Sequence, residues 1–220
     1  MKVIVTGASG LLGRQVVQEL SNEFSVIGTA FTRATGSLFK LNLLDYEQTE
    51  EFIKTHNPNI IINCAAERRP DVAENNNTGT LLLNATVCQD LTRLSIKYSF
   101  YLIHISTDYV FDGTRPPYKE SDEPKPLNFY GKSKLAGEQE ILKNIDSAIL
   151  RVPVLYGPVI DNSESAINIL LDILKNSTKS VGVDHHQPRY PTNVLDVAKV
   201  LKIMCGCLLL IKIFIGKGIN

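Results

Sequence analysis

The sequence predicts an α/β protein, a Rossmann-like doubly wound parallel sheet followed by a small, incomplete C-terminal substrate lobe. Three observations carry this expectation. Short β-branched runs alternate with segments whose apolar residues recur at helical spacing, the pattern of a parallel sheet flanked by helices. A glycine-rich stretch, Gly7-Ala-Ser-Gly10-Leu-Leu-Gly13, stands between the first such strand and the first such helix. After Val152 the alternation weakens, as expected of a smaller mixed lobe.

Taken in order, Lys2 to Val5 is a β-branched strand, and Leu11 to Leu20 is a helix carrying Leu12, Val16, Val17 and Leu20 on one side. Ser25 to Gly28 and Leu38 to Leu41 read as the next strands. Glu47 to His56 reads as a helix closed by Pro58, and Asn59 to Cys64 as a buried strand with three consecutive isoleucines. One long helix is expected over Asn76 to Lys97, then a strand from Tyr101 to Ser106. The polar, proline-rich stretch Asp112 to Asn128 predicts a surface loop. Tyr130 to Lys143 reads as a helix and Ala148 to Arg151 as a strand. A last helix starts near Val194 and runs into the apolar segment Val200 to Ile215, which Lys202, Gly206 and Lys212 interrupt. A bilayer-spanning helix needs about 20 mostly apolar residues, so no membrane span is expected. The expected division is 1–157 for a nucleotide-binding domain, 158–203 for a partial substrate lobe and 204–220 for a divergent apolar tail.

Composition narrows the function. Twenty-three Lys plus Arg balance 23 Asp plus Glu, which argues against a nucleic-acid binder. With 44% hydrophobic and 21% charged residues the chain is expected to fold rather than remain disordered. Cys64, Cys88, Cys205 and Cys207 form no ligand or disulfide pattern, and Met1-Lys2 opens no signal peptide, so the expected address is the cytoplasm. His185 and His186 are adjacent and cannot share one face, so no metal site is expected.

The glycine loop has a clear physical use. Gly7 allows a tight turn, Gly10 lets backbone approach a pyrophosphate, and Gly13 permits close helix–strand packing, with the helix N-terminus offering free N–H groups. Sites that prefer NAD place an acid near the end of the second strand, yet Phe24 to Leu44 contains no Asp or Glu. Arg33, with Lys40 further along, can accommodate a 2′-phosphate instead, which favours NADP. Tyr130 and Lys134 stand at i and i+4 on one helix face, where an ammonium can lower the phenol's pKa. Ser106-Thr107-Asp108 ends a strand at the edge where such sheets bind ligands, placing a hydroxyl to hold a substrate carbonyl.

These motifs resemble the extended short-chain dehydrogenase/reductase superfamily. Ser106-Thr-Asp-Tyr-Val-Phe-Asp-Gly113, Pro126-Leu-Asn-Phe-Tyr-Gly-Lys-Ser-Lys-Leu-Ala-Gly-Glu138 and Leu150-Arg-Val-Pro-Val-Leu-Tyr-Gly157 resemble dTDP-4-dehydrorhamnose reductase. Cys64-Ala-Ala-Glu-Arg-Arg-Pro-Asp-Val72 and Asp184-His-His-Gln-Pro-Arg-Tyr-Pro-Thr192 resemble the regulatory beta-subunit family of methionine adenosyltransferase. The beta-subunit resemblance implies NADP contacts at Ser9, Gly10, Leu11, Leu12, Phe31, Thr32, Arg33, Asn42, Leu43, Cys64, Arg68, Tyr130 and Leu155. Gly7, Gly13 and Lys134 join them from the loop and helix motifs. Thr32 stands where that family usually shows a second arginine. The reductase resemblance implies a triad of Thr107, Tyr130 and Lys134.

Two functions follow from the resemblance. One is an NADP-binding regulatory subunit of methionine adenosyltransferase that modulates S-adenosylmethionine synthesis with the catalytic subunit as partner. The other is an NADPH-dependent reductase of a nucleotide-linked keto sugar, supported by the intact triad. The rarer strings favour the regulatory reading. Beyond about Ile203 neither family's pattern continues, so the chain reads as C-terminally shortened, which implies weakened partner docking.

Overall fold

The computed structural model describes residues 1–176, 178, 180–182 and 188–216, with side chains described as far as residue 208 in the last helix. Strand β1 (Lys2–Thr6) leads through the glycine loop into α1 (Leu11–Leu20), then β2 (Ser25–Ala30) and the two-residue β3 (Phe39–Lys40). Helix α2 (Tyr46–His56) and β4 (Ile60–Asn63) follow, then α3 (Pro70–Asn75), α4 (Asn77–Leu81) and α5 (Val87–Tyr98). Strand β5 (Tyr101–Thr107), helix α6 (Phe129–Ile141) and β6 (Ser147–Val152) complete the main sheet. Its six strands are parallel in the order β3-β2-β1-β4-β5-β6. Beyond it come β7 (Leu155–Tyr156), α7 (Ile169–Asn176), β8 (Thr192–Asn193) and α8 (Val194–Gly216), with β7 and β8 forming a separate parallel pair.

Alternation along the strands sorts the core into two layers. Ile60 and Ile62 of β4 join Val3 and Val5 of β1 and Ile103 and Ile105 of β5 beneath α1 and α8. Ile61, with Ile4 and Leu102, packs instead against Ile53 of α2, Ile141 of α6, and Val87, Leu91 and Leu94 of α5. Every central strand is therefore covered on both faces, which is why these strands read as continuous apolar runs.

Two features go beyond the expected elements. The helical stretch expected over roughly Asn76 to Lys97 forms as one continuous run from Asn77 to Tyr98, with a short helix before it and a π turn within it. Pro70 starts a separate short helix at its first turn, and Asn76, at φ −137°, interrupts the chain and caps α4 through its side chain to the Gly79 N–H at 3.1 Å. A π-helical turn at Leu82–Thr86 then joins α4 to α5. Its Asn84 is tied across the fold, donating to the Glu67 carbonyl and the Ser133 hydroxyl, both at 3.0 Å.

The second is that Leu201 and Cys205 of the apolar C-terminal stretch belong to the core, while Val200 and Ile203 are exposed. Val194, Val197, Ala198, Leu201 and Cys205 lie on one face of α8, buried in the same cluster as Leu12, Val16 and Leu20 of α1. Lys202 closes the contact, pairing with Glu19 at 3.0 Å and Glu23 at 2.9 Å. Among the described residues no helix is long and apolar enough to cross a membrane.

Candidate functional site

The carboxyl ends of β1, β2, β4, β5 and β6 open into one cavity of about 620 Å³. The glycine loop forms its floor. Gly7 has φ +63°, and a Cβ there would lie 2.8 Å from the Ala65 nitrogen. A Cβ on Gly13 would come within 2.3 Å of the Gly7 carbonyl oxygen. Those two glycines are demanded by packing. Gly10 differs: a Cβ there meets only the Gly7 oxygen, at 3.2 Å. Gly10 is also the N-cap of α1 and supplies no side-chain cap, which leaves the helix's first N–H groups to the cavity.

Every site residue expected from sequence lines this cavity. Gly7, Ser9, Gly10, Leu11, Leu12 and Gly13 come from the loop, Phe31, Thr32 and Arg33 from beyond β2, and Asn42 and Leu43 from beyond β3. Cys64 and Arg68 follow β4, Leu155 lies on β7, and Thr107, Tyr130 and Lys134 face in from β5 and α6. Lys40 is the exception among the proposed cations: it is exposed on β3 and outside the lining.

Helix α6 is started by Asn128, whose side chain accepts from the Gly131 N–H at 2.8 Å. That start sets Tyr130 and Lys134 one turn apart, both buried. Burial pushes the Tyr130 phenol up to about 12, against the opposing pull of a Thr107 hydrogen bond and the Arg68 charge. The lowering expected of this phenol from Lys134 together with the nicotinamide ring belongs to the complex with the cofactor. Lys134 turns inward, donating to the Ile105 carbonyl at 2.7 Å and standing 3.1 Å from Nε2 of His104.

The tautomer of His104 follows from its neighbours. The Ala65 N–H donates to Oδ1 of Asn63, so the Asn63 amide nitrogen points at Nδ1 of His104, 3.2 Å away. Nδ1 then accepts, and the ring proton sits on Nε2, toward Lys134. An ammonium would meet an N–H there. Burial also pulls Lys134 below the usual lysine value, and burial followed by Lys134 holds His104 well below the imidazole range.

Sequence reasoning missed Glu164. It lies in a one-turn helix, Asn162–Glu164, and lines the cavity from the far side. Its carboxylate takes both terminal nitrogens of Arg14, at 3.0 and 2.5 Å, and Nη1 of Arg33 at 3.2 Å. Glu164 stands more than a hundred residues beyond Arg33, where no local pattern marks it. Arg68 lines the cavity at its exposed edge and has no side-chain hydrogen bond or ion pair among the described residues. Ser106 also lines the cavity, its buried hydroxyl lacking a hydrogen-bond partner among the described residues. Arg189 donates to the Tyr109 hydroxyl at 3.1 Å at the same rim. His185 and His186, set aside as a metal pair, lie outside the described residues.

A parallel sheet in this strand order, with a glycine turn at its first strand and a Tyr–Lys pair facing the same cavity, defines a Rossmann-like protein of the short-chain dehydrogenase/reductase class. The sequence profile of the RmlD substrate binding domain matches residues 1–206, and the chain belongs to that family. It is 46% identical over 203 residues to methionine adenosyltransferase 2 subunit beta of Bos taurus, covering 91% of this chain and 61% of the bovine protein. It is 35% identical over 201 residues to dTDP-4-keto-6-deoxy-D-glucose reductase of Streptomyces niveus, covering 89% and 66% respectively. Among solved structures, dTDP-4-dehydrorhamnose reductase from Bacillus anthracis in complex with NADP superimposes with a TM-score of 0.81 at 31% identity, over 92% of this chain and 70% of that one.

Proposed function

We propose that this chain binds NADP and acts as a regulatory, beta-type subunit toward a methionine adenosyltransferase catalytic subunit, in the cytoplasm. The observation that carries the reading is the 46% identity with the bovine beta subunit, against 35% with the Streptomyces reductase. The cavity's own features fit a phosphorylated dinucleotide. An uncapped helix N-terminus at Gly10 suits a pyrophosphate, and Arg33 and Arg68 supply positive charge. The unpartnered Ser106 hydroxyl suits a polar ligand group. In this proposal residues 1–157 hold the dinucleotide, 158–203 form a partial substrate-side lobe, and 204–220 are a divergent apolar tail.

The convergence of Thr107, Tyr130 and Lys134 on the cavity favours a second reading, reduction of a nucleotide-linked keto sugar. Bound NADPH would supply the hydride. Tyr130, held protonated by burial, would donate to the carbonyl oxygen, Thr107 would orient that oxygen, and Lys134 would hold ribose hydroxyls.

Calorimetric titration with NADP and NAD tests the shared part, and tighter NADP binding is expected. Adding the purified chain to a methionine adenosyltransferase should alter S-adenosylmethionine formation. NADPH oxidation with a dTDP-4-keto sugar and no effect on the adenosyltransferase would select the reductase instead.

A further inference from the structure

We infer that Glu164 is a specificity-determining residue of the dinucleotide site: its carboxylate competes with a 2′-phosphate for Arg33 and limits the preference for phosphorylated over unphosphorylated dinucleotide. The inference rests on the NADP-binding reading above and adds a residue from outside the nucleotide-binding motifs. Glu164 is nearly buried, and each of its carboxylate oxygens is used twice. Oε1 accepts from Nη1 of Arg14 and Nη1 of Arg33, and Oε2 accepts from Nη2 of Arg14 and the Ile160 N–H at 3.2 Å.

The two arginines are not equivalent partners. Arg14 is 19% exposed, grips the carboxylate with both nitrogens, and also donates to the Ser9 carbonyl at 2.8 Å. That fixes it to the glycine loop. Arg33 is 60% exposed and reaches Glu164 through a single nitrogen. Arg14 is the permanent partner and Arg33 the exchangeable one.

A 2′-phosphate brings about 1.5 to 2 negative charges to a guanidinium already shared with a carboxylate. It must displace Glu164 from Arg33 or share Arg33 with it, and like charges a few ångströms apart oppose each other in both cases. The 2′-hydroxyl of NAD meets no such penalty. Arg33 therefore favours the phosphate while Glu164 moderates the preference.

Calorimetric titration of NADP and NAD against the intact chain, Glu164→Gln, Arg33→Ala and the double variant tests this. Glutamine keeps the shape and removes the charge. The ratio of NADP to NAD affinity should rise about threefold to fivefold, the scale of a half-exposed ion pair. The rise should vanish in the Arg33→Ala background. Ligand-free melting confirms that each variant folds, and Glu164→Asp, which draws the carboxylate back from Arg33, should raise the ratio in the same direction if glutamine does not fold. An unchanged or lower ratio in Glu164→Gln, or an equal rise without Arg33, overturns the inference while leaving NADP binding intact. A native chain that binds neither dinucleotide fails the underlying reading, and the inference falls with it.

Discussion

Nζ of Lys134 stands 3.1 Å from Nε2 of His104, and the hydrogen bonds behind the imidazole put its proton on that nitrogen. The lysine of the Tyr–Lys pair is thus governed from inside the sheet, by a strand residue that no catalytic motif includes. Asn63 and Ala65, at the end of β4, set the polarity of the whole chain of bonds.

His104 should remain neutral with its proton on Nε2 at about pH 6, where an exposed imidazole of ordinary pKa near 6.5 is mostly protonated. Above that value folded and unfolded chains are both neutral at this position. Below it the unfolded chain binds a proton that the folded chain refuses, so stability falls as pH drops through about 6.5. Nitrogen-15 correlation spectra of the ring identify the tautomer. A charged His104 near pH 6 in the folded protein would contradict the network.

Gly10→Val should abolish dinucleotide binding in a folded protein, because the added side chain crowds only the Gly7 oxygen, at 3.2 Å, and would otherwise occupy the space of a pyrophosphate. Gly13→Ala should instead lower the melting temperature, since its Cβ would come within 2.3 Å of the Gly7 oxygen. Thermal melts with and without NADP separate the two outcomes.

Arg151→Met should cost about 3–5 kcal/mol of stability. Arg151 binds the carboxylate of Glu138 twice, at 2.9 and 2.6 Å, and Glu138 is 1% exposed. Removing the cation leaves a buried carboxylate without its partner. Urea unfolding measures the loss, which Arg151→Met with Glu138→Gln should partly restore.

Leu201→Ala should destabilise the fold by about 2–5 kcal/mol, as expected for a fully buried leucine. Leu201 fills the layer between α8, α1 and the sheet. Denaturant titration should show one cooperative transition shifted as a whole. A small separate transition would mean that α8 is not integral to the nucleotide-binding core.

The periodicity of the chain located the strands and most of the helices because each pattern reflects one element meeting one neighbouring layer. Ile60 to Ile62 announces a strand buried on both faces, and the sheet accepts it as such. The stretch from Asn76 to Lys97 likewise forms a continuous helical run, from Asn77 to Tyr98. Its apolar spacing is helical throughout, whereas the break at Asn76 and the π turn around Asn84 depend on a cap and on cross-fold bonds to Glu67 and Ser133.

By itself the sequence determined the glycine turn, the one-turn spacing of Tyr130 and Lys134, and the hydroxyl at the end of β5. Each is fixed by geometry within a few consecutive residues. Only the tertiary structure decided that Glu164 faces Arg14 and Arg33, that Lys134 answers to His104, and that α8 completes the core beside α1. Those contacts join residues 30 to more than 150 positions apart. Strand order and burial bring them together, and neither is written in local spacing.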